Sequence, residues 1–253
     1  MGLDIDEKHF YTSALATAEF VAHQKPGARA FVIGEPGLLN ALYERGITID
    51  ETDPDYVIVG ESRNYTYDSI CRAARCVNNG ARLIGTNTDL TAPTEWGQVP
   101  ACRALVAPIE LATGKEAYYV GKPNPLMMRT GLNLLGVHSQ DTAIIGDRMD
   151  TDIVAGIECG LDTVLVLSGV TDREGIEHFP YRPRLVLNGV GDIPAAAAQD
   201  RKDLVLLEND AQVEEVTLRI RNAKPGLPIL AYADDPSYEN TRSAFLAGVR
   251  DVL

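Results

Sequence analysis

Residues 141–162 of the chain read DTAIIGDRMDTDIVAGIECGLD, and this stretch decides the fold. Residues 142–145 are a short apolar run of the kind that forms a buried parallel strand. A helix is predicted to follow and to end at Gly160, and residues 163–167 form a second apolar strand. A strand, a helix and another strand in this order are typical of an α/β protein with a parallel sheet.

Three carboxylates follow the first of these strands within six residues, namely Asp147, Asp150 and Asp152. Asp147 stands at the carboxyl end of the strand, where open α/β sheets bind their ligands. Carboxylates this close repel one another unless a cation lies among them, and Mg²⁺ prefers oxygen ligands. The stretch therefore predicts a magnesium site. On this stretch alone the alternative is that Asp150 or Asp152 only caps the helix while Asp147 faces water.

The composition describes a globular protein without a basic surface. The 253 residues are 45% hydrophobic and 23% charged, with a formal net charge of −13. Such an acidic chain is not expected to bind nucleic acid or an anionic membrane, although a local metal ion and lysine can still attract a phosphorylated small molecule. There is no long apolar run, no secretory signal and no metal-type cysteine spacing, so we expect a cytoplasmic protein with reduced thiols.

Apolar strands alternate with helices along most of the chain. Residues 30–34, 56–60 and 82–85 are predicted strands, and helical segments separate them. These βα steps predict a small α/β unit over residues 30–89.

Two segments beyond this unit are less regular. Residues 91–99 contain proline and glycine and are predicted to form a loop. Residues 101–113 are predicted to form a helix, which Pro108 should kink or restart.

The remainder of the chain is predicted to form the core of the protein. Residues 116–194 contain the strand and the carboxylates described above. Residues 195–200 read AAAAQD and mark a junction. Residues 201–253 then contain two further βα units, which are predicted to complete the core sheet.

A lysine is held in a stiff loop before the carboxylates. Residues 121–125 read GKPNP, so Lys122 lies at a strand end between a glycine and a proline. The loop comes one βα unit before Asp147, and we expect Lys122 to project towards the same edge of the sheet. Taken alone, Lys122 would be interpreted as a surface lysine in a turn.

The two motifs together resemble the third and fourth motifs of the haloacid dehalogenase superfamily, here GKPNP at 121–125 and GDRMDTD at 146–152. More narrowly, the chain resembles the NagD-type phosphatases, whose cap domain is inserted between core motifs. The resemblance extends over residues 2–193. It also includes YTSA at 11–14, FVIGE at 31–35, DYVIVG at 55–60, TNTD at 86–89 and LSGV at 167–170.

The resemblance implies a fold and a set of roles. The fold would be a Rossmann-like, three-layer core with a parallel sheet and an inserted α/β cap of the C2 type. The cap would cover residues 30–115, and residues 1–29 would be a core segment that leads into it. Lys122 would neutralise the phosphate and the nucleophilic carboxylate. Asp147 would ligate Mg²⁺, and Asp152 would support the metal through a water or a hydrogen bond. Such clustered positive charge is what phosphoryl transfer requires.

The resemblance also implies where the substrate binds. Thr86, Asn87 and Asp89 would contact a small phosphorylated metabolite, together with the loop at residues 91–99. Capped phosphatases of this kind often form homodimers through the cap.

One expected motif is missing. NagD-type phosphatases carry a strand ending in DxDG, which supplies the nucleophile and the general acid/base, and no DxDG occurs in this sequence. Residues 203–212 (DLVLLENDAQ) can be aligned with that strand, with Glu208 at the nucleophile position, where it would also ligate the metal, and Asp210 at the acid/base position. The same segment also resembles the second half of a response-regulator receiver domain. In either case these βα units are expected to pack beside the strand that precedes Asp147, whose edge they would cover.

Two functional hypotheses follow from the sequence. The first is a Mg²⁺-dependent phosphatase of small metabolites, weak or inactive because the usual nucleophile motif is absent. The alternative is a catalytically dead, permuted or chimeric scaffold that serves as a regulatory binding module.

Overall fold

The computed structural model describes residues 11–193 and the strand segments 204–208, 229–232 and 251–252. The chain divides into two compact units. Ser13–Asn124 forms one, called here the inserted unit, and the chain on either side of it forms the other, called the core unit. Within the described residues, no helix is long and apolar enough to cross a membrane.

The inserted unit alternates strands and helices. Its helices are α1 Ser13–Gln24, α2 Pro36–Glu44, α3 Tyr67–Asn78 and α4 Cys102–Thr113. Its strands are β1 Arg29–Ile33, β2 Thr48–Ile49, β3 Tyr56–Val59, β4 Arg82–Gly85, β5 Thr91–Thr94, β6 Gly97–Pro100 and β7 Tyr118–Tyr119.

A parallel sheet forms the centre of the inserted unit, with the strand order β2-β1-β3-β4-β7. All four residues of β3 are buried, as expected for a continuous apolar run in a strand covered on both faces. Val57 and Val59 belong to an apolar cluster that also contains Cys76 of α3 and Val106 of α4. The helices are therefore held to the sheet by apolar contacts, and the strand ends remain available for polar residues.

Helix α1 lies in the inserted unit, although the sequence places residues 1–29 in the core segment. The helix packs against α2, and its Phe20 ring stacks on Tyr118 with ring centroids 5.0 Å apart. Because of these contacts the inserted unit begins at Ser13, before the predicted cap boundary, and it extends to Asn124.

Residues 91–100 form an antiparallel hairpin of β5 and β6, where the sequence predicts a loop. Trp96 lies at its tip and is 94% exposed. Nearly all side chains of the hairpin face solvent. A strand pair without a buried face lacks the apolar alternation by which strands are recognised in a sequence.

Helix α4 runs through Pro108, where the sequence predicts a kink or restart. A proline inside a helix costs about 3 kcal/mol because it removes a backbone hydrogen bond. Cys102, Val106 and Ile109 of the same helix are completely buried. This packing offsets the cost and keeps the helix continuous up to Gly114, which adopts a left-handed conformation.

The core unit has the same alternating pattern. Its helices are α5 Pro125–Leu135, α6 Val154–Cys159 and α7 Arg173–Ile176. Its strands are β8 Thr142–Gly146, β9 Asp162–Val166, β10 Leu185–Leu187, β11 Leu204–Glu208, β12 Ile229–Tyr232 and β13 Asp251–Val252.

The core sheet has the order β10-β9-β8-β11-β12-β13, and every neighbouring pair of strands is parallel. Strand β8 therefore lies between β9 and β11, and all five of its residues are buried. Gly146 is level with Leu165 of β9, and Ile145 is level with Leu207 of β11. The carboxyl ends of these three strands meet at one edge of the sheet.

A π-helical turn, Met149–Ile153, connects β8 to α6. Met149 and Ile153 are completely buried and form an apolar cluster with Leu165 and Ile176. The turn is thus fixed to the body of the core unit by its apolar side chains. The polar residues of this turn lie next to the carboxyl end of β8.

Candidate active site

Asp147 follows β8 directly and is half-buried at the carboxyl edge of the core sheet. Its Oδ2 accepts a hydrogen bond from the Val170 N–H at 2.5 Å. Its main-chain carbonyl accepts one from the Thr171 N–H at 3.0 Å. Both donors lie in the turn after β9, so the neighbouring strand fixes this aspartate at the position where parallel sheets bind ligands.

The same turn contacts the chain on the other side of Asp147 as well. The Thr171 Oγ1 accepts a hydrogen bond from the Met149 N–H at 3.2 Å. Gly169 lies so close to Asp147 that a Cβ built on it would overlap the Asp147 Oδ2, Cγ and Cβ atoms. The turn formed by residues 168–171 therefore encloses the aspartate from its backbone to its carboxylate.

Asp152 is completely buried in the turn that follows. Its Oδ2 accepts a hydrogen bond from the Arg148 N–H at 3.0 Å, and its own N–H donates to the Arg148 carbonyl at 3.1 Å. A Cβ on Gly146 would overlap the Asp152 carboxyl group. Asp152 thus closes the loop after β8 and packs on the strand end that carries Asp147.

Asp150 has a different role from its two neighbours. It forms a two-point ion pair with Arg148, with an Nη2–Oδ2 distance of 3.0 Å and an Nε–Oδ1 distance of 3.2 Å. Helix α6 has Ile153 at its N-cap position and no side-chain capping bond. The alternative in which Asp150 or Asp152 caps this helix is therefore wrong.

Tyr181 forms a hydrogen bond to the π-helical turn. Its hydroxyl donates to the Met149 carbonyl at 3.0 Å. Burial raises the pKa of Tyr181, and the nearby Asp150 raises it further. The phenol therefore keeps its proton at neutral pH and continues to donate this hydrogen bond.

The donor chemistry of this edge fits Mg²⁺, because Asp147 and Asp152 both supply carboxylate oxygens. Over the part of the chain that the structure describes, no three His, Cys, Asp or Glu side chains are grouped closely enough to hold a metal ion. Glu208 is the last residue of β11, one position beyond the pair Leu207 and Ile145. Its backbone therefore lies beside the end of β8. The predicted acid/base, Asp210, falls outside the described residues.

Lys122 and the predicted substrate-binding residues come together in the inserted unit. The Lys122 side chain is only 1% exposed, which excludes the interpretation as a solvent-exposed turn lysine. Its carbonyl accepts a hydrogen bond from the Thr88 Oγ1 at 3.0 Å. Thr86 accepts one at 2.7 Å on its carbonyl from the N–H of Gly121, the residue before the lysine. A buried ammonium group requires negative or polar partners, which suits a lysine built into a site.

The loop that begins at Thr86 is itself tightly folded. The Asn87 Oδ1 accepts a hydrogen bond from the Asp89 N–H at 3.1 Å, which is an Asx turn. The Thr86 Oγ1 donates to the Cys102 Sγ at 3.5 Å, and that thiol donates to the Val59 carbonyl. Burial raises the pKa of Cys102, so it acts here as a neutral hydrogen-bonding group.

The structure divides the predicted site residues into two sets. Asp147 and Asp152, with the backbone of Glu208, lie at the edge of the core sheet. Lys122 is joined to the loop of predicted substrate-binding residues (Thr86, Asn87 and Asp89) within the inserted unit.

Several residues that complete the core set are missed by the sequence interpretation. Gly169, Val170 and Thr171 contact Asp147 or the turn that follows it, and Tyr181 supports that turn. A signal for the first three was present, because the segment SGVT follows a predicted strand next to the strand of Asp147. No comparable pattern marks Tyr181.

One protein-family model matches part of the chain. The HAD-hydrolase-like family model matches residues 119–193, which include Lys122, Asp147 and Asp152.

Two characterised relatives are similar over most of the chain. The dihydroxyacetone phosphatase of Corynebacterium glutamicum (strain R) is 46% identical over 192 residues, which cover 76% of this chain and 70% of the relative. The ribonucleotide monophosphatase NagD of Escherichia coli (strain K12) is also 46% identical over 192 residues, which cover 76% of this chain and 75% of NagD.

Solved structures agree with these relatives. NagD from E. coli K-12 superimposes with a TM-score of 0.68 at 45% identity, and the match covers 74% of each chain. The p-nitrophenyl phosphatase from Archaeoglobus fulgidus superimposes with a TM-score of 0.72 at 37% identity and 77% coverage of each chain. These matches confirm the predicted fold class, a Rossmann-like α/β core with an inserted α/β cap.

Proposed function

This chain belongs to the NagD-type phosphatases of the haloacid dehalogenase-like hydrolases, and we propose that it uses Mg²⁺ to hydrolyse phosphomonoesters of small metabolites. The observation that carries the proposal is Asp147, a carboxylate fixed by hydrogen bonds at the carboxyl end of a central parallel strand. The relatives are phosphatases of small phosphorylated molecules. They favour a phosphatase over an inactive scaffold.

Mg²⁺ would be held by Asp147 and Glu208, with Asp152 supporting the metal site. The donors are carboxylates, which are the ligands that a hard cation prefers. When bound, Mg²⁺ offsets the repulsion between an attacking carboxylate and the phosphate oxygens. Asp152 would support the metal through a water or a hydrogen bond. It is completely buried, and by accepting the Arg148 N–H it also keeps the loop around Asp147 in place.

Glu208 is proposed as the nucleophile and Asp210 as the general acid/base. A carboxylate oxygen of Glu208 would attack phosphorus while the P–O bond to the substrate breaks and Asp210 protonates the leaving oxygen. Water would then release phosphate from the acyl-phosphate, with Asp210 accepting its proton. The pairing of β11 with β8 supports the proposal, because it sets the backbone of Glu208 beside the end of the strand that carries Asp147.

Lys122 and the loop at residues 86–89 would bind the substrate. The buried ammonium group of Lys122 would neutralise charge on the phosphate. Thr86, Asn87 and Asp89 would contact the rest of the molecule. The hydrogen bonds between this loop and residues 121–122 support the proposal, because they connect the lysine directly to the predicted substrate-binding loop.

The remaining parts of the proposal concern assembly and location. The protein would form a homodimer through the inserted unit, which sedimentation equilibrium tests by the mass of the particle. It would work in the cytoplasm, and the four free cysteines are compatible with a reducing compartment. Cell fractionation tests the location.

A substrate panel tests the proposed activity. We expect the protein to release phosphate from p-nitrophenyl phosphate, dihydroxyacetone phosphate or a nucleoside 5′-monophosphate in the presence of Mg²⁺. The rate should fall to the uncatalysed level when EDTA is added and recover when Mg²⁺ is restored. A phosphoserine peptide serves as the large-substrate control. Release that is unaffected by EDTA, or no release from any of the small esters, would contradict the proposal.

Replacing Glu208 by aspartate tests the nucleophile. Glutamate carries one more methylene group than aspartate, and a displacement of about 1 Å at a reacting atom can cost ~10²-fold in rate. We expect Glu208→Asp to raise kcat by up to about 10²-fold and Glu208→Gln to abolish turnover. If both variants fold and both keep the wild-type rate, Glu208 is not the nucleophile.

A further inference from the structure

The turn after β9 has no assigned role in the reaction, yet three of its residues contact Asp147. Val170 donates its N–H to the carboxylate, and Thr171 donates its N–H to the carbonyl of the same residue. Gly169 lies against the side chain. We infer that residues 169–171, called here the aspartate clamp, are positioning residues that set the orientation of the Asp147 carboxylate for Mg²⁺. This inference rests on the proposed function in one respect, the use of Asp147 as a metal ligand.

The hydrogen bond from Val170 fixes the rotation of the carboxylate. A main-chain N–H cannot turn away as a side chain can, so Oδ2 is held beside the Val170 N–H. A bond to a charged acceptor is about twice as strong as one between neutral groups. The orientation of the second oxygen, Oδ1, then follows from that of the first.

The clamp is itself braced on both sides. The Thr171 Oγ1 accepts the Met149 N–H at 3.2 Å, and Met149 is completely buried in the apolar cluster of the core unit. The Asp172 side chain accepts the Gly175 N–H at 2.7 Å and starts α7 immediately after the clamp. The turn therefore cannot shift without disturbing both the π-helical turn and α7.

Gly169 is the residue whose substitution tests the clamp most sharply. Its backbone is not in the left-handed region, so alanine fits the local conformation. The three heavy atoms nearest to an added Cβ all belong to the Asp147 side chain. An alanine at this position therefore acts first on Asp147, which must move.

Gly189 offers a matched control in the same unit. A Cβ on Gly189 would have the Ser168 Cβ as its nearest neighbour at 3.6 Å, which is an ordinary contact. Its backbone is also outside the left-handed region. Gly189→Ala thus makes the same chemical change without reaching Asp147.

The test is a calorimetric titration of Mg²⁺ into the wild type, Gly169→Ala and Gly189→Ala, without substrate. Loss of the groups that orient a metal ligand typically weakens metal binding by about 10–100-fold. We expect a loss of that size for Gly169→Ala, because the added Cβ displaces the Asp147 carboxylate, and none for Gly189→Ala. The thermal midpoint checks that both variants are folded at the temperature of the titration. A kinetic readout follows: the apparent Mg²⁺ requirement should rise while saturating Mg²⁺ restores kcat.

The outcomes distinguish failure of the clamp inference from failure of the proposed phosphatase function. If Gly169→Ala binds Mg²⁺ as tightly as the wild type, the clamp is overturned and the phosphatase proposal stands. If both glycine variants weaken binding equally, the effect is not specific to Asp147 and the clamp is again overturned. Failure of the proposed function appears separately, as absence of phosphate release from the wild type in the substrate panel. A wild type that binds no Mg²⁺ contradicts both.

Discussion

Asp147→Asn is expected to reduce kcat/KM for p-nitrophenyl phosphate by at least about 10²–10³-fold, which is the cost of losing one group that stabilises charge in a transition state. The amide removes the negative charge that a cation needs and keeps an oxygen that can accept the Val170 N–H. The fold should therefore survive while the metal site is lost. Steady-state kinetics at saturating Mg²⁺ measures the effect, and the thermal midpoint checks the fold.

Asp150→Asn is the matched control for this variant. Asp150 lies in the same loop, but its carboxylate pairs with Arg148 and its side chain is 52% exposed. We expect its substitution to change kcat/KM by less than about 10-fold, because an exposed ion pair contributes about 1 kcal/mol or less. Equal rates for the wild type and Asp147→Asn would refute the metal-dependent mechanism.

Lys122→Met is expected to have the second-largest effect, again on the order of 10²–10³-fold in kcat/KM. Methionine has a similar length and lacks the charge, so the change removes the attraction for phosphate from a side chain that is only 1% exposed. Methionine also fills the buried space that the lysine occupies. The thermal midpoint checks that the variant remains folded.

The comparison with Lys115→Met isolates the role of the site. Lys115 is an exposed lysine of the same inserted unit, and its replacement changes the net charge by the same amount. We expect wild-type kcat/KM for Lys115→Met. A similar loss of kcat/KM in both variants would indicate a general effect of net charge on an acidic protein. Wild-type kcat/KM for Lys122→Met would show that Lys122 does not act in the active site.

The position of Asp147 could be predicted from the sequence because it depends on local information. An apolar run that ends in glycine predicts a buried strand, and the next residue must then lie at the strand's carboxyl end. The contact from Val170 depends instead on the parallel pairing of β8 and β9 and on how the turn after β9 folds back. Neither the pairing nor the turn is encoded in a local pattern.

The burial of Lys122 illustrates the same limit. The GKPNP loop predicts a stiff turn but not its surroundings, so the lysine could be interpreted as exposed. The structure buries it because Thr88 and Gly121 connect this loop to the loop after β4, which is more than 30 residues earlier in the chain. Long-range contacts of this kind decide which polar residues form a site.

The hairpin at residues 91–100 was mispredicted as a loop, and helix α4 was predicted correctly except for the restart at Pro108. The hairpin has almost no buried residues, so it carries no hydrophobic pattern. Helix α4 contains a proline, so a local rule predicts a restart, while burial of Val106 and Ile109 keeps the helix continuous. Local sequence rules fail for a hairpin that has no apolar face. They also fail for a helix in which apolar packing outweighs the effect of one proline.

The central claim is that this chain is a Mg²⁺-dependent phosphatase whose metal site lies at the end of β8. The most direct test is the initial rate of p-nitrophenol release from p-nitrophenyl phosphate by the wild type over a series of Mg²⁺ concentrations. We predict no release above the enzyme-free blank without Mg²⁺ and a rate that rises with Mg²⁺ to saturation. A rate that stays the same at every Mg²⁺ concentration, whether at the blank or above it, would contradict the claim.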